Sequence, residues 1–476
     1  MNFGGLIFLL AAHYLSGRGL LRLFKIGLKP VPAFCLSMIT GVFLVSFAPC
    51  ILQLCGLPID VLHVIVTIVV LTGIFCIPLL LNFKRPWIGK PPLPVYYEWP
   101  FIIACSFLAA VSVWRCFYYP PYARDMLAGP ELLAEFAVRE HTMVSSVFTL
   151  DLHTTNNYFK SPYITCLQIL YKLLVCPFGQ LWLSVIAVSF WVWLYSILRE
   201  RIHPLLAGML FLFFMAIPDV YSYSYIMLYD FSNMVFFFGG FYFVCRYMDS
   251  RRQGDFLFAA FLFGAATYIR TETLVLVAMT VPLLLGYFYR EKKGFAQVVK
   301  QLFIFIIMPA AFWFLCIKVF VRSFVPIPFN LGSQVAPDLS NISFLFERLK
   351  DMTFLLIFSP IGFLVYGYFI SFFCAVLPVD LIFFRKFNRG SKVALYGIAV
   401  VYFGLPLLGY LLPLVDLPNT TKRGLFKMLP LMLLYLCNSG FLQYLSGRIF
   451  KWEHANEGKK AVVGSVKKVR AVKKGR

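Results

Sequence analysis

Residues 31–54 read VPAFCLSMITGVFLVSFAPCILQL, 24 positions without one charged side chain. At ~1.5 Å of rise per residue, such a run covers a hydrocarbon core of ~30 Å. A backbone in lipid must satisfy its own hydrogen bonds, so the run predicts a helix that crosses a bilayer. Just before it, residues 18–29 hold Arg18, Arg22, Lys25 and Lys29, and a second apolar run begins at residue 61.

That alternation of apolar run and short basic loop continues along nearly all 476 residues. With 61% hydrophobic residues and a mean hydropathy of +0.80, the composition excludes an ordinary soluble globular surface. The pattern predicts an all-α polytopic membrane protein with about thirteen transmembrane helices. They fall at about 2–16, 31–54, 61–82, 99–117, 178–198, 204–217, 229–247, 255–270, 273–289, 300–323, 352–379, 394–413 and 426–445. The 12 cysteines occur singly, with no CxxC pair, and read as small buried hydrophobes.

The formal charge of +22 follows the membrane rather than a nucleic acid. Placing the basic tail, 446–476, in the cytoplasm puts the basic segments 18–29, 83–90, 199–203, 251–254, 290–293 and 385–392 on its side. The opposite, outer face receives the long loops 118–160 and 324–351 and the short connections 218–230, 270–272 and 415–423. Membrane lipids are therefore the expected partners of the basic residues, and no nucleic acid is. The stretch 161–176 is apolar but short for a span, and predicts an interfacial helix on the outer surface. Gly129-Pro130 ahead of 131–140 predicts a helix start with acid in its first turn.

Charge inside the bilayer is costly, about 2.5 to 3.5 kcal/mol at a span's centre on insertion scales, so the few charged residues at or within the ends of spans mark where function sits. Three outer clusters stand out: Tyr122-Ala123-Arg124-Asp125 with Glu131 and Glu135; residues 156–163 around Lys160; and a set of helix ends. That last set comprises Asp219, Tyr229-Asp230, Arg270-Thr271-Glu272 and Lys422-Arg423. Converging on one cavity, they would place carboxylates beside several cations, the chemistry required to transfer a sugar from a polyprenyl phosphate. A carboxylate takes the proton of the attacking hydroxyl, and basic groups hold the phosphate as it leaves.

The order of these elements resembles the GT-C superfamily, especially the branch of aminoarabinose transferases and protein O-mannosyltransferases. Asp125 followed by ELLAEFAVRE (131–140) resembles that branch's early loop acid and short helix. YFKSPYITCLQILYKLL (158–174) is similar to its Phe-x-Lys-Pro-Pro-Leu motif and interfacial helix, with Ser161 in place of the first proline. YSYSYIMLYDFSNMVFFF (221–238) resembles a Tyr/Asp-headed span, GAATYIRTETLVL (264–276) a small-residue helix ending in Arg and an acid, and TTKRGLFKMLPLMLLYL (420–436) the Arg-led last span. Asp125 has no adjacent acid, so the family's paired acidic motif is incomplete, and either Asp125 or Glu131 can stand for the base.

The resemblance implies a GT-C-like module over residues 99–445, with outer loop 118–160 and interfacial helix 161–176, preceded by accessory helices in 1–98. It implies a glycosyltransferase of the bacterial inner membrane, its site facing the exterior, that uses a polyprenyl-phosphate-linked sugar and a lipid or glycan acceptor. Lys160, Arg270 and Arg423 would hold the lipid phosphate, and Tyr229, Asp230 and Glu272 the substrate. No metal ligands are expected from the sequence, and a divalent cofactor is left open. A transporter or flippase of a lipid-linked glycan is the alternative from another class; it predicts charges near mid-span and paired halves. A surface-polysaccharide polymerase or ligase predicts its basic residues in a large late outer loop.

Overall fold

The computed structural model describes residues 2–81, 93–149, 160–326, 342–385, 387–412 and 420–454. Residues 150–159, most of the segment 324–351 expected as an outer loop, the connections 82–92 and 413–419, and most of the basic tail lie outside the described residues. All regular secondary structure among the described residues is helical.

Eight helices are long and apolar enough to cross a membrane, and two bent pairs raise the number to ten if each counts as one span. The chain is thus a multi-pass, all-helical membrane protein by helix length and composition. This differs from the thirteen expected spans at identifiable places. Pro204–Met215 has 12 residues and Gln253–Ile269 has 17, both short for a bilayer, and Tyr229–Ser250, with 22, is not among the eight because its sequence is less apolar. The apolar run 352–379 does not continue as one helix: Ser343–Ile357 and Pro360–Tyr366 meet at 67°. Ser359 caps the second piece by accepting the Gly362 N–H at 3.0 Å, with Pro360 at the first helical position. The last span breaks likewise between Lys422–Asn438 and Gly440–His454, at 51°.

The helix Tyr229–Ser250 forms the axis of the fold and is buried along nearly its whole length. It pairs as a hairpin with Gln253–Ile269, which packs in turn on Phe295–Phe314. Aromatic rings fill these contacts, with Phe237 and Phe241 meeting Phe263 edge-on. The N-terminal helices share this core. Phe43 packs against Tyr163, Phe236, Phe261, Tyr268 and Phe312, and 89% of the residues in the most apolar stretch of Pro30–Leu54 are buried, against 11% in those of Val61–Leu80 and Tyr96–Tyr118. The latter two therefore present most of their apolar surface outward, as lipid-facing helices do.

Phe3–Leu23 and Pro30–Val45 approach closely because two glycines face each other's backbone. A Cβ on Gly17 would lie 1.8 Å from the Ser37 carbonyl oxygen, and one on Gly41 would lie 1.7 Å from that of His13. Small residues at a crossing let membrane helices touch backbone to backbone. Gly41→Leu is expected to cost at least ~1–3 kcal/mol, the usual penalty of overpacking, and to lower the thermal midpoint of the detergent-solubilised chain. Gly73→Leu, where an added carbon meets nothing within 4 Å, should leave that midpoint nearly unchanged.

The segment expected as a surface helix, 161–176, is instead the buried helix Tyr163–Leu174. The physical reason is that Gln168 and Lys172, two of its polar side chains, find partners inside the fold. Gln168 donates to Glu131 (2.5 Å) and accepts from the Trp182 indole (2.8 Å). Lys172 lies 2.6 Å from Glu131 and 2.9 Å from Glu135, both on the helix Pro130–Glu140. With these groups satisfied, the helix buries on all sides.

Candidate functional site

Helix termini carry the site. Asp230 sits in the first turn of Tyr229–Ser250, where the dipole favours an anion, and Arg270 caps the C-terminus of Gln253–Ile269, where it favours a cation. The hairpin joining these helices brings the two charges into direct contact. The Arg270 guanidinium pairs with both Asp230 and Glu272. One turn along, Asn233 ties the arrangement down by donating to the Ala266 carbonyl (2.6 Å) and to Thr273 (3.1 Å). Burial alone would weaken the charged Arg270, but the two carboxylates outweigh it and raise its pKa. Burial would also push the Glu272 carboxyl up; Arg270, then Lys427, overcome this and hold it below the ordinary range.

Arg423, at the start of Lys422–Asn438, reaches the same point from another part of the chain. Both its terminal nitrogens lie 3.2 Å from Asp125, and one is 4.0 Å from Asp230. Asp125 stands at the rim with a side chain 45% exposed. Tyr229 is buried and donates its hydroxyl to the Ser161 carbonyl at 2.8 Å, which fixes Lys160 and Ser161 against the head of the central helix. Tyr229 thereby lines the cavity and also positions Lys160.

A cavity of about 90 Å³ lies between these groups, lined by Lys160, Tyr229, Asp230, Arg270, Glu272 and Arg423 among others. Of the eight residues singled out in the sequence, these six line it, and Asp125 joins through Arg423. Glu131 is the exception. It neither lines the cavity nor faces it, being held by Lys172 and Gln168. Of the other charges at helix ends, Lys422 pairs with Asp219 at 3.3 Å.

Lys160 makes no ion pair within 4.0 Å among the described residues. Burial and the nearby Arg270 cation lower its pKa below the ordinary lysine value, against the opposing pull of Asp125 and Asp230. A cation held this way gains much from an arriving anion.

One charged residue of the site escaped the sequence reading. Lys427 is 3% exposed and lies within the field of Asp230, Glu272 and Arg270. It follows Arg423 by four positions, so the helical interval was the available signal. With it, four cations (Lys160, Arg270, Arg423 and Lys427) face three carboxylates (Asp125, Asp230 and Glu272). The excess positive charge suits an anionic ligand such as a phosphate. Among the described residues, no three His, Cys, Asp or Glu side chains gather as metal ligands do. Comparison with protein families, with curated proteins and with solved structures finds no match to this chain.

Proposed function

We propose that the chain is a membrane glycosyltransferase that moves a sugar from a polyprenyl-phosphate-linked donor to a lipid or glycan acceptor, at the outer face of a bacterial-type inner membrane. The reading extends to a GT-C-like architecture for residues 99–445. The observation that carries it is the single crevice in which Lys160, Arg270 and Arg423 meet Asp125, Asp230 and Glu272. These charges come from parts of the chain up to about 300 residues apart and meet at one point.

In the proposed reaction the Asp125 carboxylate takes the proton of the acceptor hydroxyl, whose oxygen attacks the anomeric carbon of the donor. The bond from that carbon to the phosphate oxygen breaks, and the electron pair leaves on the lipid phosphate. Lys160 and Arg423 are placed to meet the charge developing there. Arg423 contacts both the base and the cavity, so donor phosphate drawing on Arg423 would loosen its hold on Asp125 and free the carboxylate to accept a proton. Arg270 is committed to Asp230 and Glu272 and acts chiefly by fixing their geometry.

A lipid-linked-glycan transporter is the second reading, favoured by one observation: Lys427 is a charge buried within an apolar helix, as translocation paths contain. The two readings separate on product. Purified chain with a radiolabelled polyprenyl-phosphate sugar should release free polyprenyl phosphate in step with glycosylated acceptor; movement of intact donor across a vesicle without its cleavage would replace the transferase with a transporter.

Lys160 supplies a pH test. Because its proton leaves below the ordinary value of 10.5, the affinity of the empty site for a polyprenyl phosphate should fall as pH rises toward that value. Lys160→Arg, whose group stays charged above pH ~12, should move the fall to higher pH in an equilibrium binding titration. An unchanged profile would remove Lys160 from the phosphate site.

A further inference from the structure

A second cation lies outside the cavity, on the lipid-facing helix Trp99–Tyr118. Arg115 sits one turn from the end of this helix, its guanidinium carbon 4.8 Å from the ring centre of Tyr119 and 5.5 Å from that of Tyr225. Its charge also reaches Tyr122 and Tyr221. Among the described residues it makes no ion pair with a carboxylate. Two ring faces hold the guanidinium by cation–π attraction without neutralising it, which leaves its donors for a ligand. The exposed rings of Tyr119 and Tyr122 lie near it, and the exposed rings of Trp114 and Tyr118 pack on Tyr119, as aromatic residues do at headgroup depth.

Below this cage the same helix borders an apolar groove of about 210 Å³, lined by Phe101, Cys105, Ala109, Trp191, Val192 and Met215 among others. Tyr221 stands between the two, within reach of the Arg115 charge and in contact with Trp191 of the groove. Its ring stacks on Trp191 at 6.5 Å, and its hydroxyl donates to the Leu108 carbonyl at 2.9 Å. Arg115 follows Ala109 by six positions, a rise of ~9 Å along the helix. A cation at headgroup depth joined to an apolar groove that opens toward lipid has the shape and polarity of an amphiphile.

We propose that the Arg115 cage and the groove beneath it form a binding site for a phosphate-headed lipid, separate from the Lys160–Arg423 cavity. The phosphate lies against Arg115 and Tyr119, and one hydrocarbon chain descends between Trp191 and the helix Trp99–Tyr118. On the transferase reading given above, this lipid is the acceptor, entering on the rim side where Asp125 stands.

The test is calorimetric titration of the purified full chain in detergent with dihexanoyl phosphatidate, inorganic phosphate and farnesyl phosphate. Arg115→Gln should weaken phosphatidate binding at least tenfold and leave standing the farnesyl phosphate site that depends on Arg423, while Arg423→Gln abolishes that site and spares phosphatidate. Ala109→Trp, which fills the groove, should weaken phosphatidate and leave inorganic phosphate unaffected. Tyr225→Leu should give a several-fold loss without removing a charge, and it serves as the second variant if Arg115→Gln does not fold. Phosphatidate binding unchanged in both Arg115→Gln and Tyr225→Leu would overturn the proposal. Inorganic phosphate binding as tightly as phosphatidate, with Ala109→Trp silent, would overturn its lipid part. Loss of sugar transfer from every acceptor, with the Arg115-dependent selectivity intact, would end the transferase reading and leave the lipid site standing.

Discussion

Asp125→Asn is expected to lower sugar transfer by roughly 10²–10⁴-fold, the usual contribution of a positioned general base, while polyprenyl phosphate binding changes little. The substitution keeps the size of the side chain and one oxygen near Arg423, so the rim should hold its shape; the lost property is the negative charge that accepts a proton. Glu131→Gln should behave differently. Its carboxylate lies against Lys172 and Gln168, in the contact between Pro130–Glu140 and Tyr163–Leu174. Its loss should lower thermal stability and leave turnover of the folded fraction near that of the unaltered chain. Single-turnover rates at saturating donor, measured beside the thermal midpoint, separate the two. Transfer unimpaired by Asp125→Asn would remove Asp125 from the chemistry.

Arg270→Ala should have the largest effect on the protein itself. It leaves Asp230 and Glu272 facing each other without their shared cation, and breaking a buried pair from one side costs about 3–5 kcal/mol. The expected result is a chain that is poorly recovered from membranes and melts well below its parent. Arg270→Lys should rescue part of the stability but little of the geometry, since one ammonium cannot hold two carboxylates as a planar guanidinium does. A folding-neutral Arg270→Ala would mean that Lys427, which lies in the same field, and Arg423, 4.0 Å from Asp230, compensate the two acids. The double substitution with Lys427→Met would then expose that dependence.

Much of the fold was legible because lipid allows so few solutions: apolar length gave the helices, and their termini followed from the polar loops. The interruptions were harder to see. The run 352–379 is apolar throughout, and its break depends on Ser359-Pro360, a helix-start signal outweighed by the hydropathy around it. The burial of Tyr163–Leu174 was not legible either, because Gln168 and Lys172 look like the polar edge of a surface helix until their partners at 131 and 135 are seen.

The site shows the same division. Acid and base at the ends of apolar runs marked Asp230, Arg270, Glu272 and Arg423 from composition alone, and the hairpin between Tyr229–Ser250 and Gln253–Ile269 explains why the first three meet. Asp125 and Glu131 are six positions apart and looked alike; only the tertiary partners, Arg423 for one and Lys172 for the other, distinguish them. Lys427 was hidden by its neighbours, a single lysine within LFKMLPLMLLYL, even though its spacing from Arg423 puts both on one face.

The claim on which the account rests is that this crevice holds a lipid-linked phosphate. Equilibrium binding of farnesyl phosphate to the purified full chain measures it directly. A saturable site that weakens at least tenfold in Lys160→Gln and again in Arg423→Gln, and that persists in Arg115→Gln, is the predicted result. Binding that does not saturate, or that is indifferent to both cavity substitutions in folded protein, would contradict it.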